Sequence, residues 1–311
     1  MKIFFHIVVA GLFVGSALAA QPLLSPAELQ ALIKAPNVRV VDIREAKLFA
    51  EQHVPGAVSA PYAQWRGANS NPGDLPDAAK LTELVQSLGV TPATHVVVVA
   101  AGTDPADFGS AARVYWTLKV LGLKELSILN GGARAWSAAS LPTDAAVTKP
   151  ARSSFVPKWD TAMLVNRTDL VQQVAAGKVN LVDAREMEFF EGDTRHPAAK
   201  VAGTIKGAVN LEHSAWFPSG TSVFATPAQA QKVLANSAPL AAQKETVTFC
   251  NTGHLSATNW FALSEVLGQK SVKMYAGSMV DWTQDVAKLP MDNVPSRAKQ
   301  LMMDARMALN R

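Results

Sequence analysis

Cys250 is the only cysteine in the 311-residue chain, and it stands in the run Phe249-Cys250-Asn251-Thr252-Gly253-His254-Leu255-Ser256. The preceding Val247-Thr248-Phe249 is a buried-strand signal, while Ser256 opens a helical stretch over 257–266 with Gly268 as its stop. A thiol placed where a strand turns into a helix meets two influences that favour an anion. Backbone N–H groups of so short a loop can converge on the sulfur, and the helix contributes free N–H groups and the positive end of its dipole. Those are the conditions for nucleophilic sulfur chemistry. Gly253 permits a bend that a side chain would obstruct. His254 lies inside the loop and offers a hydrogen bond to a bound anion. One thiol cannot form an internal disulfide, so composition alone leaves Cys250 as a buried filler, an intermolecular staple or a reactive group. The loop favours the last.

The elements that must position this loop occur twice. Val40-Val41-Asp42-Ile43-Arg44-Glu45 returns as Leu181-Val182-Asp183-Ala184-Arg185-Glu186, and Pro55-Gly56-Ala57-Val58 as Lys206-Gly207-Ala208-Val209. About ten extra residues precede the second turn and bring Arg195, His196 and Lys200. The strand 96–99 matches 247–249, the helix 110–122 matches 256–268, and Trp136 matches Trp282. The matching tryptophans suit packing. A repeat of more than about 100 residues is a duplicated domain, since solenoid units run to about 20–50 residues. Strands separated by helices predict two parallel sheets, each flanked by helices on both faces, with ligands at the carboxyl ends of the strands. The expected division is an N-terminal domain over 24–143, a linker over 144–160 marked by Pro150 and Pro157, a C-terminal domain over 161–293 and a tail over 294–311. The tail reads as an amphipathic helix carrying Met302, Met303 and Met307.

Residues 1–19 read as a signal peptide: Lys2, an apolar run from Ile3 to Val14, and a small-x-small site at Ala17-Leu18-Ala19. The run is shorter than the roughly 20 residues of a spanning helix, so no membrane span is expected after cleavage. The expected location is periplasmic or secreted, with a mature chain of about 290 residues, two domains' worth at typical sizes. The net charge of +4 is spread without a long Lys/Arg cluster, which argues against nucleic acid and leaves small anions as partners.

Taken together, the VVDIRE and LVDARE strands, the HVPGA and IKGAV turns, the CNTGHL loop and the YAGSMVDW segment resemble the tandem rhodanese family over roughly residues 24–293. The resemblance implies a sulfurtransferase whose catalytic cysteine, Cys250, heads the loop Cys250 to Leu255. It implies an inactive N-terminal copy in which a residue near Ala101 takes the cysteine's place, followed by a longer loop from Gly102 to Gly109. The implied reaction passes the outer sulfur of an anionic donor such as thiosulfate to Cys250, and then to a thiol or cyanide, without a metal or organic cofactor. Asn251, Thr252, Gly253, His254, Leu255 and Ser256 become the persulfide- and substrate-binding residues. Arg185 matches the family arginine after the DxR strand end, facing an anionic donor or paired with Asp183.

Several positions depart from the family pattern. Asn251 and Thr252 are neutral where thiosulfate-preferring members often carry basic residues, Leu255 replaces a polar loop end, Phe189 and Phe190 stand where a second arginine is common, and Met279 replaces a tryptophan. A less basic pocket is therefore expected, with Arg195, His196 and Lys200 as possible sources of charge. His53 and His213 are given no catalytic role. A sulfur-carrier protein with little thiosulfate turnover and a 3-mercaptopyruvate sulfurtransferase are the alternatives. The phosphatases of this fold need an arginine where Ser256 stands.

Overall fold

In the first copy, β1 (Leu23–Leu24), β2 (Val38–Asp42), β3 (Val58–Ser59), β4 (His95–Val99) and β5 (Leu126–Leu129) form one parallel sheet in the order β1-β5-β4-β2-β3. This computed structural model describes residues 20–237, 240, 244–284 and 289–309. The segment read as a signal peptide lies outside the described residues. In the second copy, β6 (Val179–Asp183), β8 (Val209–Asn210), β9 (Glu245–Phe249) and β10 (Val272–Met274) form a parallel sheet in the order β10-β9-β6-β8. A short antiparallel pair, β7 (Thr204–Ile205) with β11 (Met291–Asp292), lies beside it.

Val96 to Val99 are wholly buried, as expected of a strand covered on both faces, where β-branched residues pack well and no solvent face demands alternation. No helix among the described residues is long and apolar enough to cross a membrane.

Strand pairing aligns the copies more closely than the sequence did. Asp42 pairs with Val99 in the first sheet and Asp183 with Phe249 in the second, so Cys250 corresponds to Ala100, one residue before the expected Ala101. The first copy's loop is also no longer than the second's. Its helix begins at Pro105 rather than near Ser110, capped by Asp104 on the Asp107 N–H and started by a proline whose missing N–H costs nothing there. The second helix runs Leu255–Phe261 and continues as one π-helical turn over Ala262–Val266.

These two equivalent helices pack on each other. Tyr115 meets Phe261 edge to face at 5.1 Å, and Tyr115 and Lys119 both donate to Glu265, at 2.8 and 2.6 Å. One apolar cluster runs through both copies, from Val41, Val98 and Trp116 to Trp216, Trp260 and Met274. The segment read as a surface linker is pinned along its length: Phe155 is buried, Gln86 donates to its carbonyl, and the Lys158 and Asp160 N–H groups bond Leu121 and Val120. Trp136 and Trp282 are both buried in the cores of their own sheets. The tail forms a helix, Arg297–Leu309, which sits on the insertion through Arg195–Asp304 and Lys299–Asp193 ion pairs. Met303 is buried and Met302 exposed, while the Met307 side chain lies outside the described residues.

Candidate active site

Cys250 follows β9 directly and is 1% exposed. Its loop ends at His254, and Leu255 starts the helix. The loop is fixed chiefly through Ser278, whose hydroxyl accepts from the Cys250 and Gly253 N–H groups at 3.1 Å each and donates to the Tyr275 carbonyl at 2.9 Å. Ser278 has φ +53°, and its counterpart Gly132 has φ +60°. A non-glycine residue there carries a backbone cost of order 1–3 kcal/mol, sustained here by three hydrogen bonds that glycine could not make. Gly253 is at φ +66°, and a Cβ on it would come within 2.4 Å of Arg113 Nη1 and 2.5 Å of the Ala276 carbonyl.

Met279 and Val280 N–H groups donate to the carbonyls of Cys250 and Asn251, at 3.0 and 3.1 Å. Because a trans peptide's N–H opposes its C=O, the Asn251 and Thr252 N–H groups are turned to the other side, and neither has a backbone acceptor among the described residues. The equivalent loop of the first copy shows what such groups bind. There the Asp107 carboxylate accepts from the Gly102 N–H at 2.5 Å. Burial nevertheless raises that carboxyl's pKa. In the second copy the residue equivalent to Asp107 is Ala257, which is buried and brings no anion of its own.

The remaining site residues separate by what they touch. Arg185 is buried and engages four of its five N–H groups: it chelates Asp183, donates to the Gly203 carbonyl at 2.9 Å and reaches Asn251 Oδ1 at 3.4 Å. Asp42 and Arg44 repeat the chelate in the copy without a cysteine. His254 has both ring nitrogens engaged. Its Nε2–H donates to the Ala106 carbonyl at 2.9 Å, which leaves Nδ1 to accept from the Tyr62 hydroxyl at 2.8 Å. Burial, reinforced by Arg66, pushes its pKa down to about 4, so the ring is neutral and its side chain is occupied at the interface between the copies. The hydroxyl of Ser256 is buried with no hydrogen-bond partner among the described residues. Asn251, Thr252 and Leu255 are half-buried.

Sequence reasoning missed Tyr62, Arg66, Arg113 and Ser278. The first three come from the other copy, 140 to 192 positions away in the chain, and no spacing signals that. Ser278 lies in the YAGSMVDW segment, which was noticed without being given a role. Arg66 and Arg113 bring two guanidinium groups to the loop carbonyls, while Arg195 is tied to Asp304 and the Ala199 carbonyl. His53 and His213 are buried against backbone carbonyls. A cavity of about 680 Å³ opens at the first copy's loop, lined by Thr103, Asp104, Arg134 and residues 217–223.

The rhodanese-like domain family matches the chain twice, over residues 25–139 and 166–285. A thiosulfate sulfurtransferase of Azotobacter vinelandii is 32% identical over 272 residues, covering 85% of this chain and 95% of that protein. The thiosulfate sulfurtransferase of Pseudomonas aeruginosa is 33% identical over 268 residues, 83% and 93% of the two chains. A 3-mercaptopyruvate sulfurtransferase of Rattus norvegicus is 28% identical over 239 residues, 75% and 78%. Among solved structures, SseA from Escherichia coli superposes with a TM-score of 0.73 at 21% identity, over 83% of this chain and 99% of its own, and so shows the fold. Two matched domains, two parallel sheets and one cysteine loop lead to one conclusion: the chain belongs to the rhodanese family.

Proposed function

We propose that the chain is a sulfurtransferase that moves sulfane sulfur through a persulfide on Cys250. The thiolate attacks the outer sulfur of a donor such as thiosulfate, the S–S bond of the donor breaks, and sulfite leaves with its electron pair. The persulfide then gives its outer sulfur to cyanide or a thiolate, which restores the Cys250 thiolate. Both steps need an environment that accepts negative charge on sulfur without water, and preorganised N–H donors supply one. The observation that carries this reading is the carboxylate of Asp107. A carboxylate of the protein itself accepts from the Gly102 N–H in the first copy's loop, whereas the second copy has Cys250 in the loop and Ala257 in place of Asp107, which favours sulfur as the group that the loop N–H donors serve.

Relatives named as thiosulfate sulfurtransferases, matched over nearly their full length, support an enzyme over a carrier and thiosulfate over other donors. The bound donor and acceptor would lie against the loop from Asn251 to Leu255, meeting backbone at His254 because its ring is engaged elsewhere, with Ser256 buried beneath and Arg185 holding Asn251 in place. Export is part of the same proposal and rests on the Met1–Ala19 pattern. Intact-mass spectrometry of protein purified from its native compartment tests these points together. Incubation with thiosulfate is expected to add the mass of one sulfur and release sulfite, Cys250→Ser to abolish both, and the starting mass to lack residues 1–19. An unchanged mass with every sulfane donor tried would overturn the reading.

A further inference from the structure

Four consecutive carbonyls of the cysteine loop, from Cys250 to Gly253, each accept a hydrogen bond from outside the loop. The first two bonds are common to both copies, since Ala133 and Arg134 N–H groups hold the Ala100 and Ala101 carbonyls as Met279 and Val280 hold those of Cys250 and Asn251. The third differs in kind. In the first copy the Ser222 hydroxyl donates to the Gly102 carbonyl at 2.7 Å, and in the second Arg66 Nη2 donates to the Thr252 carbonyl at 2.7 Å. The fourth is Arg113 Nη1 on the Gly253 carbonyl at 2.9 Å.

Each bond fixes a peptide plane. With the Thr252 carbonyl held by Arg66, the Gly253 N–H is aimed at Ser278. With the Gly253 carbonyl held by Arg113, the His254 N–H is turned away from Arg113. Gly253 is the residue most able to flip, so its two flanking planes are where an outside restraint matters most.

The arginines are themselves braced. Arg66 also donates to the Tyr62 hydroxyl at 3.1 Å, and Tyr62 bonds His254, closing a ring of contacts around the loop. Arg113 is fully buried, lies over the Trp116 ring and donates to the Gly73 and Asp74 carbonyls. Every partner of its guanidinium is a neutral carbonyl. A buried cation without a carboxylate is costly unless an anion stands close by. The charged or ionisable groups that face it are Arg66, Tyr62, Cys250 and Asp74. Asp74 is pushed toward its neutral form by burial and by Asp281, and Cys250 stands among the groups close to this cation.

We propose that Arg66 and Arg113 are positioning residues for sulfur transfer, lent by the N-terminal copy: their hydrogen bonds to the Thr252 and Gly253 carbonyls lock the two peptide planes around Gly253 and so hold the loop that carries Cys250. The N-terminal copy then has a function without a cysteine of its own. This inference rests on the persulfide reading, and the two are separable by experiment.

The test uses the full mature protein with Arg66→Gln, Arg66→Lys and Arg113→Lys, read by the rate of sulfur gain from thiosulfate and by the rate of Cys250 alkylation with iodoacetamide, which needs no sulfur donor. Loss of one charge-assisted bond is expected to slow both rates in Arg66→Gln by about tenfold or more. Arg66→Lys is expected to recover part of the loss, since its ammonium keeps the charge and one donor, and Arg113→Lys is expected to fall between wild type and Arg66→Gln. A merely structural role would slow Gln and Lys variants alike, and that result overturns the proposal. So does a wild-type rate in Arg66→Gln. If wild-type protein gains no sulfur at all, the persulfide reading fails, and the alkylation rates alone decide the positioning role by the same criteria.

Discussion

Burial decides the charge of His254. Its ring lies between the Tyr62 hydroxyl and the Ala106 carbonyl, a pattern that only the neutral Nε2–H tautomer satisfies. The folded pKa of about 4 lies below the ordinary 6.5 because the buried imidazolium would lose its hydration beside Arg66. Between those values the unfolded chain binds more protons than the folded one, so stability is full above pH 6.5 and falls as pH drops toward 4, by at most about 3 kcal/mol from this group. Urea unfolding of wild type and His254→Gln at pH 7 and pH 4.5 checks this: the variant is expected to show the smaller loss between the two. The histidine was legible as a loop residue, but its role was not, because both partners of its ring come from a distant part of the chain. Arg185 is the opposite case. Its chelate with Asp183 spans two positions and is readable from the DxR spacing.

The strand-loop-helix unit around Cys250 was legible as an element, since a β-branched run, a glycine and a helical stretch occur in order. Its register against the first copy was not. Sequence spacing matched the cysteine to Ala101 and lengthened the loop, because Pro105 and Asp104 were not recognised as a helix start; the ladder pairing corrected both. The corrected register carries a prediction. In a Cys250→Ser background, Ala100→Cys alone is expected to gain no sulfur from thiosulfate, as the Asp107 carboxyl group already takes the Gly102 N–H of that loop. Adding Asp107→Ala is expected to permit a measurable gain by intact mass. Loading by Ala100→Cys alone would show that these N–H groups do not discriminate.

At the scale of the molecule the two copies are bound by more than their linker. An apolar cluster crosses between them, Tyr115 and Lys119 of one share Glu265 of the other, and Arg66 and Arg113 enter the opposite copy's loop. Hydrophobic cores of this continuity unfold as a unit. Urea unfolding followed by tryptophan fluorescence and by far-UV circular dichroism is therefore expected to give one coincident transition, whereas two separated transitions would mean independent domains.

The amino-acid sequence by itself determined the duplication, the two parallel sheets, the family and the position of the thiol, because these follow from local periodicity, turn chemistry and a repeated order of short motifs. Only the tertiary structure decided what surrounds the sulfur. Ser278 and Arg185 reach the loop from within its own copy, but Tyr62, Arg66 and Arg113 come from more than 100 positions away, and contacts of that separation arise when two copies bury a common face, which no local pattern encodes.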